Sequence, residues 1–507
     1  MKLPKEVQSI IWRLREHNFE AYIVGGCVRD FLLGRKPKDW DVATDAKPND
    51  IQKIFPESFY NNRFGTVTVI NKDAKDTTLR NVEVTTYRVE AEYSDRRHPD
   101  DVKFTTSLEK DLSRRDFTIN AMALGVRSLE SKVESTTKST DRAKEHLASS
   151  KKQEPLDYEI IDLFGGQRDL KERVIRAVGD ANKRFNEDAL RMLRAVRFAC
   201  ELDFKIERDT FEAIKRNSNL LKFISKERIR DELERIILSQ KPSFGIDLLQ
   251  KLGLLKYIIP ELEAGIGIAQ NRHHIYTIYK HSILSLKYCP SKKLEVRLAA
   301  LLHDIAKPQT KEGTGPDSTF YNHDYLGAKF TSQILRRLKF PRSVIGKTSL
   351  LVRNHMFYYN VGEVSEAGVR RLIRRVGKEN LKDLIDLRIA DRLGSGVPKA
   401  KPYKLRHLEY LIHKVSKDPI SPKMLKVNGE DVMKILGIQP GPKVGAILKV
   451  LLSEIIEDPK KNTREYLERR IKELDRLSQE EIEKSEKIIK EKKEEEDLKD
   501  KSKFWVK

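Results

Sequence analysis

Cysteine is scarce in this chain. Cys27, Cys200 and Cys289 are the only three among 507 residues, too few and too scattered for a disulfide framework or a paired-cysteine zinc site. That pattern fits a reducing compartment and points to the cytoplasm. Long apolar runs are missing too: none approaches the roughly 20 residues needed to cross a bilayer. The stretch MKLPKEVQSIIWRLREHNF has the spacing of an amphipathic helix rather than the make-up of a signal peptide, so no membrane partner is expected. Acidic residues are in deficit, 77 against 99 lysines and arginines, for a formal charge of +22. Such a surplus suits a polyanion, because basic side chains displace counterions from phosphates. A merely soluble basic protein would show the same balance, so charge alone only leans toward nucleic acid.

The length predicts three or four domains, each able to bury a core. Up to about Leu124, short β-branched runs (AYIVGG, GTVTVI, VEVTTYRV) alternate with helical stretches, which predicts a mixed α/β head. A segment rich in Ser, Thr and Lys, about 125–154, reads as a solvated insertion. From Val174 to about Asp418 the apolar period is helical, and six of the eleven histidines fall between His273 and His355. After Lys426 the pattern is helix, Gly-Pro turn, helix. A mixed-charge tail follows from about Ser478.

The chemistry begins at YIVGGCVRDFLLGRKPKDWDVAT. An apolar strand runs into Gly25 and Gly26, and a helix carrying Arg29 begins there. Paired glycines let backbone N–H groups approach an anion, and a helix N-terminus adds a favourable dipole; an ordinary tight turn would look the same. Asp39 and Asp41 add a second signal. Placed two apart on a strand they share a face, and like carboxylates held together call for a divalent cation. Glu83, in NVEVTTYR, supplies a third acid. Three carboxylates beside an anion-cradling turn suit two-metal nucleotidyl transfer with Mg2+. Farther on, EDALRMLRAVRF sets Asp188, Arg191, Arg194 and Arg197 in a charged row beside an apolar row of Leu190, Leu193 and Val196. The row could be surface charge. Alternatively, Asp188 accepts and Arg191 donates, an edge complementary to the amino group and ring nitrogen shared by cytosine and adenine.

GGCVRD, DWD, SRRDFTINAMAL, DLFGGQRDL and RFNEDALRMLRAVRFA, in that order between about Ala21 and Phe204, resemble the successive motifs of the bacterial-type (class II) tRNA nucleotidyltransferases, the CCA-adding enzymes and their poly(A) polymerase relatives. The resemblance implies an α+β fold: a polymerase-beta-like nucleotidyltransferase head (1–170), then an all-α neck (171–265), a further helical domain (266–405), a helical RNA-binding region (406–477) and a charged tail (478–507). It implies CTP and ATP as substrates and tRNA as partner. It also implies a protein-made template at Asp188 and Arg191, with Arg115, Arg194 and Arg197 near the nucleotide. Asp116 and Asn120 would organise the pocket, and Asp162 would connect head and neck. Members that add only two cytidines tend to lack a loop that this chain retains between Arg88 and Arg114. Complete CCA addition is therefore favoured, with A-addition the nearer alternative and poly(A) synthesis the rival that motifs separate poorly. In GIQPGPKVGAIL a glycine-rich turn before a helix could approach RNA phosphate or simply connect two helices.

A second constellation lies downstream: His281, His303 with Asp304, His323, His355 and Asp391. Any one histidine on an apolar helix fits a satisfied core residue. Together, the order H, HD, H, H, D resembles the HD phosphohydrolase domain. Imidazole with carboxylate suits a transition metal such as Ni2+, Co2+ or Mn2+. His281, His303, Asp304 and Asp391 would be the principal ligands, and His323 and His355 would hold a second ion or a substrate phosphate. A reading from another class follows: a metal phosphohydrolase whose head has become an RNA-binding module. The intact Asp39 and Asp41 argue against it.

Overall fold

The computed structural model describes residues 3–61, 65–90, 102–126, 158–271, 275–397, 399–416 and 421–477. Most of the polar insertion, residues 91–101 of the loop after Arg88, His273, His274 and the charged tail lie outside the described residues. The chain forms two compact units, Met1–Pro260 and Glu261–Lys507.

The first unit opens with α1 (Lys5–Glu16), whose Val7, Ile10, Ile11 and Leu14 are buried at helical spacing. Then follow β1 (Ala21–Val24), α2 (Gly26–Leu32), β2 (Asp41–Thr44), α3 (Pro48–Ile54), β3 (Ser58–Asn61), β4 (Thr66–Ile70), β5 (Asn81–Thr86), β6 (Arg88–Glu90), β7 (Val102–Phe104), α4 (Leu108–Ser113), β8 (Ala123–Val126) and β9 (Tyr158–Ile161). Seven strands make one mixed sheet in the order β3-β4-β5-β2-β1-β8-β9. Within it only β2 and β5 run parallel. Register decides the chemistry: Val24 faces Asp41 across β1–β2, and Asp41 faces Glu83 across β2–β5. The glycine turn and two acids therefore meet at one strand end.

Helices complete the unit: α5 (Gly166–Glu172), α6 (Ala181–Glu187), α7 (Leu190–Leu202), α8 (Arg208–Asn217), α9 (Lys226–Leu238) and α10 (Pro242–Lys251). α7 packs on α9 and α10, and α6 on α8. The head–neck boundary expected at 170 falls inside α5. The chain after α5 returns to the head, where the Asp116 carbonyl accepts the Val178 N–H at 3.2 Å and Phe117 bridges Ala177, so head and neck form one body.

After the short α11 (Pro260–Glu263), the second unit is helical: α12 (Ile278–Tyr288), α13 (Leu294–Leu302), α14 (Lys307–Thr310), α15 (His323–Arg337), α16 (Arg342–Asn354), α17 (Glu366–Val376), α18 (Leu381–Gly394), α19 (Tyr403–Val415), α20 (Gly429–Leu436), α21 (Pro442–Glu457) and α22 (Arg464–Asp475). α12 packs on α13 and α18, α15 on α16, and α17 on α19. The boundary expected at 406 cuts α19, whose Leu405, Leu408, Leu411 and Val415 share one apolar core with Val296, Leu351 and Leu384. A separate core formed by α20, α21 and α22 begins near Leu425. Among the described residues no helix is long and apolar enough to cross a membrane.

Candidate active site and metal centre

Gly25 closes β1 at φ +83°, a conformation that disfavours any side chain, and a Cβ there would stand 3.1 Å from Arg115 Nη1 and 3.3 Å from Asp41 Oδ2. Backbone therefore reaches the acids with nothing in between. Asp41 begins β2 as expected. Asp39 does not share the strand: it sits in the bend before it, while the Trp40 carbonyl accepts the Glu83 N–H at 3.2 Å. The buried Trp40 anchors the bend. Burial, then the charges of Asp39 and Glu83, push the Asp41 carboxyl up to about 7 against the pull of Arg115. Three acids in mutual repulsion are the donor set a hard divalent cation relieves.

Around them opens a cavity of about 910 Å3. Gly25, Gly26, Arg29, Asp39, Asp41 and Arg115 line it from the head; Asp188, Arg191, Arg194 and Arg197 line it from the neck. Glu83 is exposed on β5 and acts on Asp41 from outside that lining. The charged row differs from its expected form. Asp188 is not a helical residue but ends α6 just before α7, its Oδ1 accepting the Leu190 N–H at 3.0 Å. The arginines are not a solvated face. Arg191 is buried and donates to Glu187 (2.7 Å) and to the carbonyls of Arg184 and Arg114. Arg194 pairs with Asp116 at 2.7 Å. Arg197, 2% exposed, faces Glu232 at 3.2 Å, and burial pulls its guanidinium down to about 10 despite that partner.

Asp116 and Asn120 link the two halves. Arg29 donates to Asn120 Oδ1 (2.7 Å), Asn120 to Asp116 Oδ1 (3.1 Å), and Arg194 to Asp116 Oδ2. Burial opposes ionisation of Asp116, but Arg194 and Asn120 outweigh it and hold the carboxyl down at about 2. The guanidinium carbons of Arg29, Arg194 and Arg197 lie 4.3–5.5 Å from the Phe198 ring centroid. Asp162 accepts from the Gly166 and Gln167 N–H groups at the start of α5.

Sequence reasoning missed Arg228, which forks onto Asp188 at 2.7 and 3.2 Å. It also missed Glu232, Glu187 and Asp169, the last fully buried with Thr118 and Arg176 as donors. ISKERIRDELERIIL reads as ordinary helix charge. The available signal was Glu232 at a position of α9 that its apolar period buries beside Leu233.

In the second unit, the six expected residues converge in two buried groups, His281–His303–Asp391 and Asp304–His323–His355. His281 Nε2 lies 2.9 Å from His303 Nε2, 3.2 Å from Asp304 and 3.4 Å from Asp391. The Nδ1 atoms of His303, His323 and His355 each meet the carbonyl three residues earlier, at 3.0, 2.6 and 2.7 Å. With Nδ1 donating there, each Nε2 lone pair faces inward. The Nε2 atoms of His323 and His355 are buried without a hydrogen-bond partner, 3.6 and 3.7 Å from Asp304 Oδ1. Burial lowers the His281 imidazole, but the carboxylates of Asp304 and Asp391 overcome it and raise it to about 9. Convergent orphaned nitrogens and carboxylates fit metal ligation, and all six residues have a place in it.

A glycine turn, paired acids and an arginine-lined cavity on a mixed sheet define a nucleotidyltransferase head with a helical neck. Residues 21–176 match the poly A polymerase head domain family, 203–266 the RNA- and SrmB-binding region of polymerase A, and 324–471 the tRNA nucleotidyltransferase domain 2 family. The CCA-adding enzyme of Lactococcus lactis subsp. lactis is 32% identical over 91% of this chain and 96% of its own length. That of Geobacillus stearothermophilus is 31% identical over 92% and 96%, and the A-adding tRNA nucleotidyltransferase of Deinococcus radiodurans 33% over 85% and 90%. The crystal structure of the Bacillus stearothermophilus CCA-adding enzyme in complex with CTP superposes with a TM-score of 0.65, at 29% identity, over 94% of this chain and 98% of that one. The chain belongs to the class II tRNA nucleotidyltransferases, in the family of the CCA-adding enzymes.

Proposed function

We propose that this protein adds CCA to the 3′ ends of tRNA from CTP and ATP, without a nucleic-acid template. The observation that carries the reading is one cavity lined by both the acids of the head and the Asp188–Arg197 segment of the neck. The terminal hydroxyl of tRNA attacks the α-phosphorus of the nucleotide, and the bond to pyrophosphate breaks as the new P–O bond forms. Asp39 and Asp41 would hold Mg2+, with Glu83 tuning Asp41. Bound magnesium supplies charge for the attacking hydroxyl and the leaving pyrophosphate. The Gly25–Gly26 backbone and Arg115 receive the triphosphate, and Asp188 with Arg191 reads the base edge. Cytoplasmic residence accords with the unpaired thiols of Cys27, Cys200 and Cys289. Incubating tRNA transcripts ending at the discriminator, after C, or after CC with labelled CTP or ATP, then sequencing the ends, separates CCA addition from A addition and poly(A) synthesis. An absence of CMP incorporation on the first two transcripts overturns the reading.

The six convergent ligands favour a second activity on the same chain, hydrolysis of cyclic or terminal RNA phosphates. His281, His303 and Asp391 would hold one ion, and Asp304, His323 and His355 another or a substrate phosphate. A bound Ni2+, Co2+ or Mn2+ would supply activated water. A metal screen on a nucleoside 2′,3′-cyclic phosphate tests this. No hydrolysis with any metal leaves the histidines as structure.

A further inference from the structure

Helix α19 shows two faces of different character. Leu405, Leu408, Leu411 and Val415 are buried in the core of the second unit. Tyr403, His407 and Tyr410, at i, i+4 and i+7, form a stripe on another face, with Tyr403 62% and Tyr410 58% exposed. The rings touch in series: Tyr403 to His407 at 5.8 Å between centroids, His407 to Tyr410 at 6.0 Å, and Tyr359 stacked on His407 at 6.1 Å. The Tyr359 hydroxyl and His407 Nδ1 share a hydrogen bond, which fixes the middle ring of the row. Tyrosines at a core edge ordinarily turn their rings inward. These two remain more than half exposed.

The surroundings are basic. Between Lys399 and Lys414 the sequence KAKPYKLRHLEYLIHK holds five lysines and arginines against one glutamate. Lys401 engages that glutamate, Glu409, at 2.7 Å, and Lys414 engages Glu366 of α17 at 2.5 Å, which leaves three cations of the segment. Lys399, Lys404 and Arg406 are exposed beside the rings. A row of ring faces within a positive field is the chemistry that binds single-stranded or splayed-out nucleobases: the rings stack, and the cations meet the phosphates.

Resting on the tRNA reading above, we propose that the Tyr403–His407–Tyr410 ridge is a stacking platform for unpaired bases of the tRNA. It would act as a substrate-holding surface and not as part of the chemistry, since no residue of α19 lines the nucleotide cavity. Stacking suits such an enzyme because every base has a π face, so the contact holds tRNAs of different sequence equally. Tyr403 and Tyr410 present the outer faces, and Tyr359 and His407 keep the row rigid.

The experiment uses the full chain. The double variant Tyr403→Ala/Tyr410→Ala and its partner Tyr403→Phe/Tyr410→Phe are compared with wild type for tRNA affinity by filter binding, and for kcat and KM of CMP and AMP addition. Loss of one stacked base weakens binding by roughly 5- to 150-fold. The alanine pair should therefore raise Kd and KM for tRNA at least fivefold, with kcat, the KM for CTP and the melting temperature unchanged. The phenylalanine pair, which keeps the rings, should stay within about twofold of wild type. An unchanged tRNA Kd in the alanine pair overturns the platform, and so does a phenylalanine pair as weak as the alanine pair. Should the wild type add no nucleotide, the functional reading fails by itself, and the Kd comparison still decides the surface.

Discussion

Replacing Arg228 with leucine should damage nucleotide choice more than it damages RNA binding. Arg228 donates through both terminal nitrogens to Asp188, at 3.2 and 2.7 Å, with side-chain exposures of 25% and 16% for the pair. Exposed ion pairs contribute about 0–1 kcal/mol, and breaking a fully buried one costs about 3–5. This half-buried, forked pair falls between, at about 1–2 kcal/mol, or a factor of roughly 5–30. Without Arg228, Asp188 keeps its bond from the Leu190 N–H but loses the fork that fixes the plane of its carboxylate. A misoriented acceptor reads the amino group of cytosine or adenine poorly. Arg228→Leu should therefore raise the KM for CTP and ATP by that factor and increase UTP and GTP incorporation, with tRNA affinity unchanged. A double-mutant cycle supplies the decisive assay: on an Asp188→Ala background, Arg228→Leu should have little further effect. Additive losses, or a lower KM in Arg228→Leu, would refute the claim that Arg228 positions Asp188.

Three further outcomes are expected. Asp39→Ala or Asp41→Ala should abolish nucleotide addition and leave filter-binding affinity for tRNA nearly intact, because on the proposed mechanism these acids would hold Mg2+ and not RNA; a wild-type rate in either variant removes them from the mechanism. Asp116→Asn should cost about 2 kcal/mol at pH 7 in denaturant melts, since the carboxyl is held from 3.8 down to about 2 in the folded state. A depressed carboxyl stabilises fully above its unfolded value and loses that contribution as pH falls through its folded one, so the gap to wild type should narrow by about half near pH 3, and a gap independent of pH contradicts the cause assigned. His303→Ala with Asp304→Ala should remove hydrolysis of a cyclic phosphate supported by nickel, cobalt or manganese while preserving CCA addition with magnesium; loss of both together would deny that they are separate chemistries.

Residues whose role is set by the local chain were legible in the sequence. Gly25 needs only its own backbone and its strand to mark a turn, and α20 and α21 follow from the apolar spacing on either side of the glycine-proline break. Residues whose role depends on a distant partner were not. Asp39 and Asp41, two apart in sequence, suggested a shared strand face, but the strand begins at Asp41 and the bend before it is held by Trp40. In the Asp188–Arg197 stretch the three-residue period was visible, yet it could not show that the arginines are engaged from other elements. Asp116 is 78 positions from Arg194, and Glu232 lies on α9. The histidine cluster was recoverable only by its order. Nothing in a sequence shows three Nδ1 atoms tied to carbonyls so that the Nε2 atoms converge.

Under the proposed function, those distant partners would let one cavity couple selection to transfer. The path Arg29–Asn120–Asp116–Arg194 runs from the helix after the glycine turn to the helix after Asp188, and each link is a hydrogen bond of 2.7–3.1 Å. Phe198 lies beneath Arg29, Arg194 and Arg197 together. A displacement of α7 would therefore move Arg194, strain its bond to Asp116, and reach Arg29 beside Gly26. If Asp188 reads the base as proposed, a wrongly seated base would disturb this path. Discrimination would then act on the rate of transfer as well as on affinity.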